Sequence, residues 1–308
     1  MLKIAFVIPA FGHRIFNENV AVVDRDFGTF PDLGTCYAAS IARAWGAEVK
    51  IWDGRAEGLS AGQAARQVKG FKPDLLAFPI HAIPAFMDTL DWIKKIKKEI
   101  GKPVVVGGYE FSFFQEEYFV HEELDFGFYG EVLRSLPAFL DAFTGAGNYE
   151  AINGLIYRKE GKTIVNPPPE AAALDEFPFP ARDLLKNNLY FSHVSQKKNY
   201  TVMITSKGCP FSCSFCAIAS TGFNARSPAN VIDEMLECYH DHGVREFDFF
   251  DPLMLHDRER AIAIAEEIIR SGMDIMWSCR SRVDTVDREM LGILAGSGLE
   301  RIFYGIES

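Results

Sequence analysis

Residues 205–216 read TSKGCPFSCSFC, and they place three of the chain's six cysteines within eight positions. Before them stands the apolar run NYTVMI, and after them comes the helix-like NVIDEMLECYHDHG. Cys209, Cys213 and Cys216 thus lie on a loop that leaves a strand and opens a βα series. The C-x3-C-x2-C spacing lets one loop wrap its sulfurs around a single small inorganic body. Structural zinc favours four ligands, commonly as two separated C-x2-C pairs, and no second pair is present. A cubane 4Fe-4S cluster takes four thiolates; with three supplied, one iron stays open to a substrate or cofactor.

Downstream the pattern continues as strand REFDFFD, helix RERAIAIAEEIIRSG, strand DIMWSC, helix DREMLGILAGSG and strand RIFYGIES. Each strand followed by a helix is the pattern of a (β/α) barrel, here a partial TIM-like one that is expected to be incomplete at the C-terminus. Upstream, strands are predicted at KIAFVI, EVKIWD, DLLAFPI, PVVVGG and DFGFYG, alternating with helices at LGTCYAASIARAW, AGQAARQVKGF, PAFMDTLDWIKKIKKEI and EVLRSLPAFLDAF. That alternation predicts an α/β, flavodoxin-like doubly wound parallel sheet over residues 1–150. Residues 151–195 hold a hairpin, GLIYRKEGKTIV, turning at Glu160 and Gly161, and the proline-rich NPPPEAAALDEFPFP. Proline restricts its own φ and the residue before it, so this stretch reads as a semi-rigid connector between the first domain and residues 196–308.

Composition fits two folded domains. The chain has 308 residues, 48% of them hydrophobic, and a formal net charge of -10. That charge works against a phosphate backbone as partner, so nucleic acid is not expected. No stretch approaches the roughly 20 apolar residues that span a bilayer, and no signal peptide is read at the N-terminus. A cytoplasmic setting is therefore expected, in which the cysteines are metal ligands or free thiols; Cys36, Cys238 and Cys279, far apart in sequence, read as core residues.

The three-cysteine loop, with aromatic Phe215 just before its last cysteine, resembles the signature of the radical S-adenosylmethionine superfamily. The resemblance implies that the three thiolates hold a 4Fe-4S cluster whose open iron takes S-adenosylmethionine. One electron from a reductant such as flavodoxin or ferredoxin then cleaves it to a 5'-deoxyadenosyl radical. Gly208 would permit close backbone approach, and Phe211 and Phe215 would keep water from the cluster. By the same resemblance Asp251, backed by Asp248, would hold the methionyl amine, and Ser278, Arg280 and Arg282 would lie near the active face. Glu307 would meet the ribose hydroxyls, and Ser227 or Asn230 would cap the helix after the loop.

The first domain resembles the cobalamin-binding domain that precedes the radical domain in one large subgroup of that superfamily. The shared stretches are FPDLGTCYAASIARAWGAEVKIWD, VVVGGYE and FYGE, with the GLIYRKEG hairpin and the LDEFPFPARDLL segment. This implies cobalamin contacts from Gly34, Tyr37, Gly107, Gly108, Gly130 and Glu131. The D-x-H-x-x-G motif that supplies an axial histidine to cobalt elsewhere is missing; His81 is a candidate for the lower face, and His13 sits on a comparable loop. The subgroup's commonest activity is methyl transfer to an unactivated carbon of a small-molecule substrate, with methylcobalamin as donor. Radical oxidation, cyclisation or rearrangement, methylthiotransfer, and a non-enzymatic cobalamin or iron–sulfur sensor are the alternatives. Methylthiotransferases carry three more cysteines in their first domain, whereas residues 1–200 here contain only Cys36.

Overall fold

The computed structural model describes residues 1–10, 28–80, 83–145 and 147–306. They divide into two compact units, the first holding most of residues 1–172 and the second most of residues 187–308.

In the first unit five parallel strands, β1 (Lys3–Ile8), β2 (Glu48–Asp53), β3 (Leu75–Pro79), β4 (Val104–Gly107) and β5 (Phe126–Phe128), stand in the order β2-β1-β3-β4-β5. This is the doubly wound order expected. The strands are almost continuously apolar because helices cover a parallel sheet on both faces; Ile4 to Ile8 are all buried. The main crossover helices are α1 (Leu33–Trp45), α2 (Ala61–Phe71) and α3 (Ile83–Ile100), with α4 (Gln115–Phe119) and α5 (Ser135–Thr144) flanking β5. Local chemistry sets their ends. The Asp32 carboxylate accepts from the Thr35 N–H at 2.6 Å to start α1, and Gly46 in the left-handed region stops it. Ser60 and Gln63 form a reciprocal capping box on α2.

The hairpin, expected within the connector, instead extends this sheet. Strands β6 (Leu155–Lys159) and β7 (Lys162–Val165) continue it antiparallel beyond β5, pairing Phe126 with Tyr157 and Phe128 with Leu155. Leu155, Ile156 and Tyr157 are all buried, so this strand has a core to join on either face. Glu160 and Gly161 both have positive φ, the signature of the type I′ turn that suits two-residue hairpins. Part of the connector also belongs to the first unit. The Ala181 N–H donates to the Cys36 carbonyl, Arg182 is fully buried, and Asp183 pairs with Arg43 at 2.6 Å.

The second unit is a four-stranded parallel sheet in sequential order, β8 (Tyr200–Met203), β9 (Glu246–Phe249), β10 (Met276–Arg282) and β11 (Leu299–Gly305). Helices α6 (Pro228–Asp241), α7 (Arg258–Ser271) and α8 (Arg288–Gly296) connect the strands, and each begins with a side-chain cap: Ser227, Asp257 and Asp287. Sequential parallel strands with a helix between each pair are the repeating unit of a (β/α) barrel. Val231, Met235, Ile264, Ile268, Phe247 and Trp277 fill the layer between helices and sheet. Gly28–Thr29 also belongs here, pairing antiparallel with Phe191–Ser192, and a Cβ on Gly28 would sit 2.4 Å from the Phe191 carbonyl oxygen. Among the described residues no helix is long and apolar enough to cross a membrane.

Candidate functional site

The three cysteines lie on the loop that leaves the carboxyl end of β8. A two-residue antiparallel ribbon closes its root, with Ser206 paired to Ala225 and Lys207 to Asn224. Inside the loop, Thr221 N–H donates to the Cys209 carbonyl and Ser220 N–H to the Phe211 carbonyl, while Cys209 N–H donates to Thr221 Oγ1 at 3.1 Å. Gly208 has a positive φ, and a Cβ there would lie 2.5 Å from the Gly222 carbonyl oxygen, so the neck of the loop admits only glycine. Cys209 is buried, whereas Cys213 and Cys216 are half-buried.

The other sequence-predicted residues of this unit divide into two groups. Around the loop, Arg282 lays its guanidinium 4.0 Å from the centre of the Phe211 ring and binds both oxygens of Asp284. Hydrogen bonding to Asp284, reinforced by the nearby sulfurs of Cys213 and Cys209, holds that guanidinium above its ordinary pKa range. His256 packs edge-on against Phe211 and Phe223, and Phe215 is 69% exposed, free to cover a ligand. Further along the strand ends, Arg280 forks onto both oxygens of buried Asp248 and stacks over Phe250 at 4.2 Å and Phe303 at 5.1 Å. Tyr200 donates to the same carboxylate, and Phe30 closes the cluster against Tyr200 and Phe250. Ser278 is buried on β10 in register with Asp248. Arg280 is therefore a fixed cationic plate rather than a mobile arm.

Asp251 differs from what the resemblance implies. Its carboxylate is completely buried and accepts from the Thr205 N–H at 2.6 Å, from the Thr205 hydroxyl, and from the Ser206 hydroxyl at 2.7 Å. Burial raises its pKa, and the hydrogen bonds from Thr205 and Ser206 together with the Arg260 charge work against that rise. The carboxylate is thus turned into the root of the loop and not toward the surface. Ser227 caps α6, and Asn230 receives the Arg226 Nε–H at 2.6 Å. Glu307 lies outside the described residues, as do His81 and His13.

Thr205, Arg226, Glu234 and Arg260 were not singled out in the sequence, yet they surround the root of the loop. Arg226 pairs with Glu234 in the interior, and the Thr205 carbonyl accepts both the Arg226 backbone N–H and an Arg260 Nη–H. The one signal available was the placing of charged residues within otherwise apolar elements.

In the first unit, Gly34 and Tyr37 stand in the first turns of α1, Gly107 and Gly108 at the end of β4, and Gly130 and Glu131 just after β5. All lie toward the carboxyl ends of parallel strands, where open α/β sheets bind ligands. Their local partners, however, come from the protein. A Cβ on Gly108 would meet the Ile80 carbonyl oxygen at 2.4 Å, one on Gly130 would meet the Pro169 ring at 2.7 Å, and Glu131 accepts from the Ala172 N–H. Tyr37 meets Phe177 edge-on at 5.9 Å. What this edge does offer a flat ligand is exposed ring surface, in Tyr109 and Phe113 packed 5.0 Å apart. Among the described residues of this unit His121 is the one histidine, and it precedes β5 at the opposite edge of the sheet, packed on Phe86.

Among the described residues no three His, Cys, Asp or Glu side chains converge closely enough to hold a single metal ion. Three thiols at a C-x3-C-x2-C spacing on one loop are a donor set that suits an iron–sulfur cluster.

Two α/β units, one doubly wound and one of barrel type with a three-thiol loop at a strand end, define the class. The B12 binding domain model matches residues 19–140 and the Radical SAM superfamily model residues 203–308. The chain belongs to the radical S-adenosylmethionine superfamily, in the subgroup that carries a B12-binding domain. It is 32% identical to an "uncharacterized methyltransferase" of Pyrococcus horikoshii, an alignment spanning 100% of this chain and 66% of that protein. To the cytidylyl-2-hydroxyethylphosphonate methyltransferase of Streptomyces wedmorensis it is 25% identical over 91% of this chain and 61% of the relative. The chain thus spans less than two thirds of the length of these relatives. A solved structure of the cobalamin-dependent S-adenosylmethionine radical enzyme OxsB, with aqua-cobalamin and S-adenosylmethionine bound, superposes with a TM-score of 0.79 at 18% identity. It covers 100% of this chain and 44% of that one, and shows that the fold is shared.

Proposed function

We propose that the protein is a cobalamin-dependent radical S-adenosylmethionine enzyme that transfers a methyl group to an unactivated carbon of a small molecule. The observation that carries this reading is the loop itself: three thiols at a C-x3-C-x2-C spacing, on a loop whose root is stapled at the carboxyl end of β8. The naming of both relatives as methyltransferases supports the choice of reaction. The bound groups would supply radical generation and a transferable methyl.

The chain's own residues have separable tasks in this reading. Cys209, Cys213 and Cys216 hold three irons of a 4Fe-4S cluster. Phe211, packed between Arg282 and His256, keeps water from the sulfurs, and exposed Phe215 covers S-adenosylmethionine. Arg280, with Ser278 behind it, presents a fixed positive surface at the strand ends, suited to a carboxylate. Residues 1–150 serve as the cobalamin-binding domain and residues 196–308 as the radical domain. The carboxyl edge near Gly107, Gly108, Gly130 and Glu131 takes the corrin, with Tyr109 and Phe113 as apolar contacts. A flavodoxin- or ferredoxin-type protein supplies the electron.

Anaerobic reconstitution with iron, sulfide and hydroxocobalamin tests both cofactors. Wild type is expected to retain iron, sulfide and a corrinoid spectrum after gel filtration, and Cys213→Ala is expected to lose iron together with reductive cleavage of S-adenosylmethionine. Unchanged iron and cleavage in Cys213→Ala would sink the cluster assignment, and a corrinoid-free product would sink the cobalamin assignment.

A further inference from the structure

Thr205 and Ser206 are the last residues before the loop's neck, and every polar group that they present to the interior is taken. Asp251, from the end of the neighbouring strand, accepts from the Thr205 N–H and from both hydroxyls. Arg260, from the first turn of α7, donates to the Thr205 carbonyl at 2.9 Å and to the Arg226 carbonyl at 2.7 Å. It thereby ties the outgoing and returning sides of the loop to one guanidinium. The Arg226 N–H closes the ring onto the Thr205 carbonyl at 2.9 Å. Three residues beyond Ser206 is Cys209, the one buried cysteine of the three.

We propose that Asp251 is a positioning residue, which with Arg260 anchors the outgoing side of the loop and so fixes where the Cys209 sulfur stands, while Cys213 and Cys216 are placed independently. The separation follows from the connections. Cys213 and Cys216 are joined by a turn of their own, Cys216 N–H to the Cys213 carbonyl. Their tie to the Cys209 side runs through the far limb of the loop, where Ala219 N–H meets the Cys216 carbonyl and Ser220 and Thr221 N–H meet the Phe211 and Cys209 carbonyls, rather than through Thr205 and Asp251. Asp251 Oδ1 takes the amide and Oδ2 both hydroxyls, so Asp251→Ala takes the acceptor from all three donors at once, whereas an asparagine could keep the amide on its oxygen and donate its N–H₂ to the hydroxyls. Hydrogen bonds to a charged, buried acceptor are among the stronger ones, so their loss should favour local opening of the root.

The proposal rests on reading Cys209 as a cluster ligand, but its test is made on the cluster-free full chain, so the two can fail separately. Each cysteine's alkylation rate by iodoacetamide is followed by mass spectrometry in wild type and Asp251→Ala. Cys209 is expected to label about tenfold faster in the variant, with Cys213 and Cys216 unchanged and buried Cys238 and Cys279 still protected. An unchanged Cys209 rate, or equal acceleration of all three loop cysteines, would overturn the proposal. If Asp251→Ala exposes Cys238 and Cys279 as well, Thr205→Val is read by the same criteria, with Thr205→Ser expected to keep the wild-type rate; failure of that pattern refutes the assignment.

Discussion

Arg226, two residues before α6, and Glu234, in its second turn, form an ion pair whose side chains are 4% and 0% exposed. The guanidinium also donates to the Asn230 side chain at 2.6 Å, to the Asn230 carbonyl at 3.0 Å and to the Ile204 carbonyl at 3.2 Å. Arg226→Ala would strand a carboxylate in the interior and release two backbone carbonyls. Breaking a buried pair from one side costs about 3–5 kcal/mol, about a fifth or more of the roughly 5–15 kcal/mol that holds an ordinary domain together. Hydrogen exchange of peptides covering β8 and β9 reads this locally, because the opening free energy of those strands should fall by that amount while β1 and β3 keep theirs. The double variant Arg226→Met with Glu234→Leu removes both charges at similar volume and should recover most of the loss. A cost below about 1 kcal/mol for Arg226→Ala, or a double variant as unstable as the single, would refute the reasoning that the interior charge is what this pair stabilises.

In the cluster-free chain the six thiols should separate by burial: Cys213 and Cys216 react with Ellman's reagent in the native state, buried Cys209 more slowly, whereas Cys36 and Cys279, whose thiol pKa burial pushes far up, and fully buried Cys238 react only after denaturation; fast native reaction of all six would contradict the packing. Gly108→Ala should destabilise the first unit by about 1–3 kcal/mol or more, since its φ is +132° and the new Cβ would meet the Ile80 carbonyl oxygen. Gly161→Ala, also at positive φ but facing open space, should cost about 1 kcal/mol; thermal melts giving the two the same cost would argue against the close approach at Ile80.

What could be read from the sequence was whatever is local. The three cysteines declare themselves because their chemistry depends on spacing along one loop. The helices at Leu33–Trp45 and Ala61–Phe71 were legible because apolar period and caps lie within a few residues of each other. The hairpin's turn was legible from Glu160-Gly161, but its place was not: nothing in GLIYRKEGKTIV says that Tyr157 pairs with Phe126. The same limit hid the close approaches at Gly108 and Gly130, where a side chain would run into the Ile80 carbonyl and the Pro169 ring.

Asp251 shows why the strand-end charges were the hardest to interpret. A polar residue that ends an apolar strand of a barrel can face the open site or fold back beneath it, and FDFFD is the same string in either case. What decides is the partner across 46 positions, Thr205, whose amide and hydroxyl would otherwise be buried without an acceptor. The leading strand into the loop must leave its sheet early to bring Cys209 forward, and an amide that leaves a sheet needs another acceptor. Asp251 supplies it, and Arg260 answers the carbonyl of the same residue. The requirement for a loop that departs from the ladder at one fixed place is thus what calls for a buried carboxylate there, whether or not a cofactor is present.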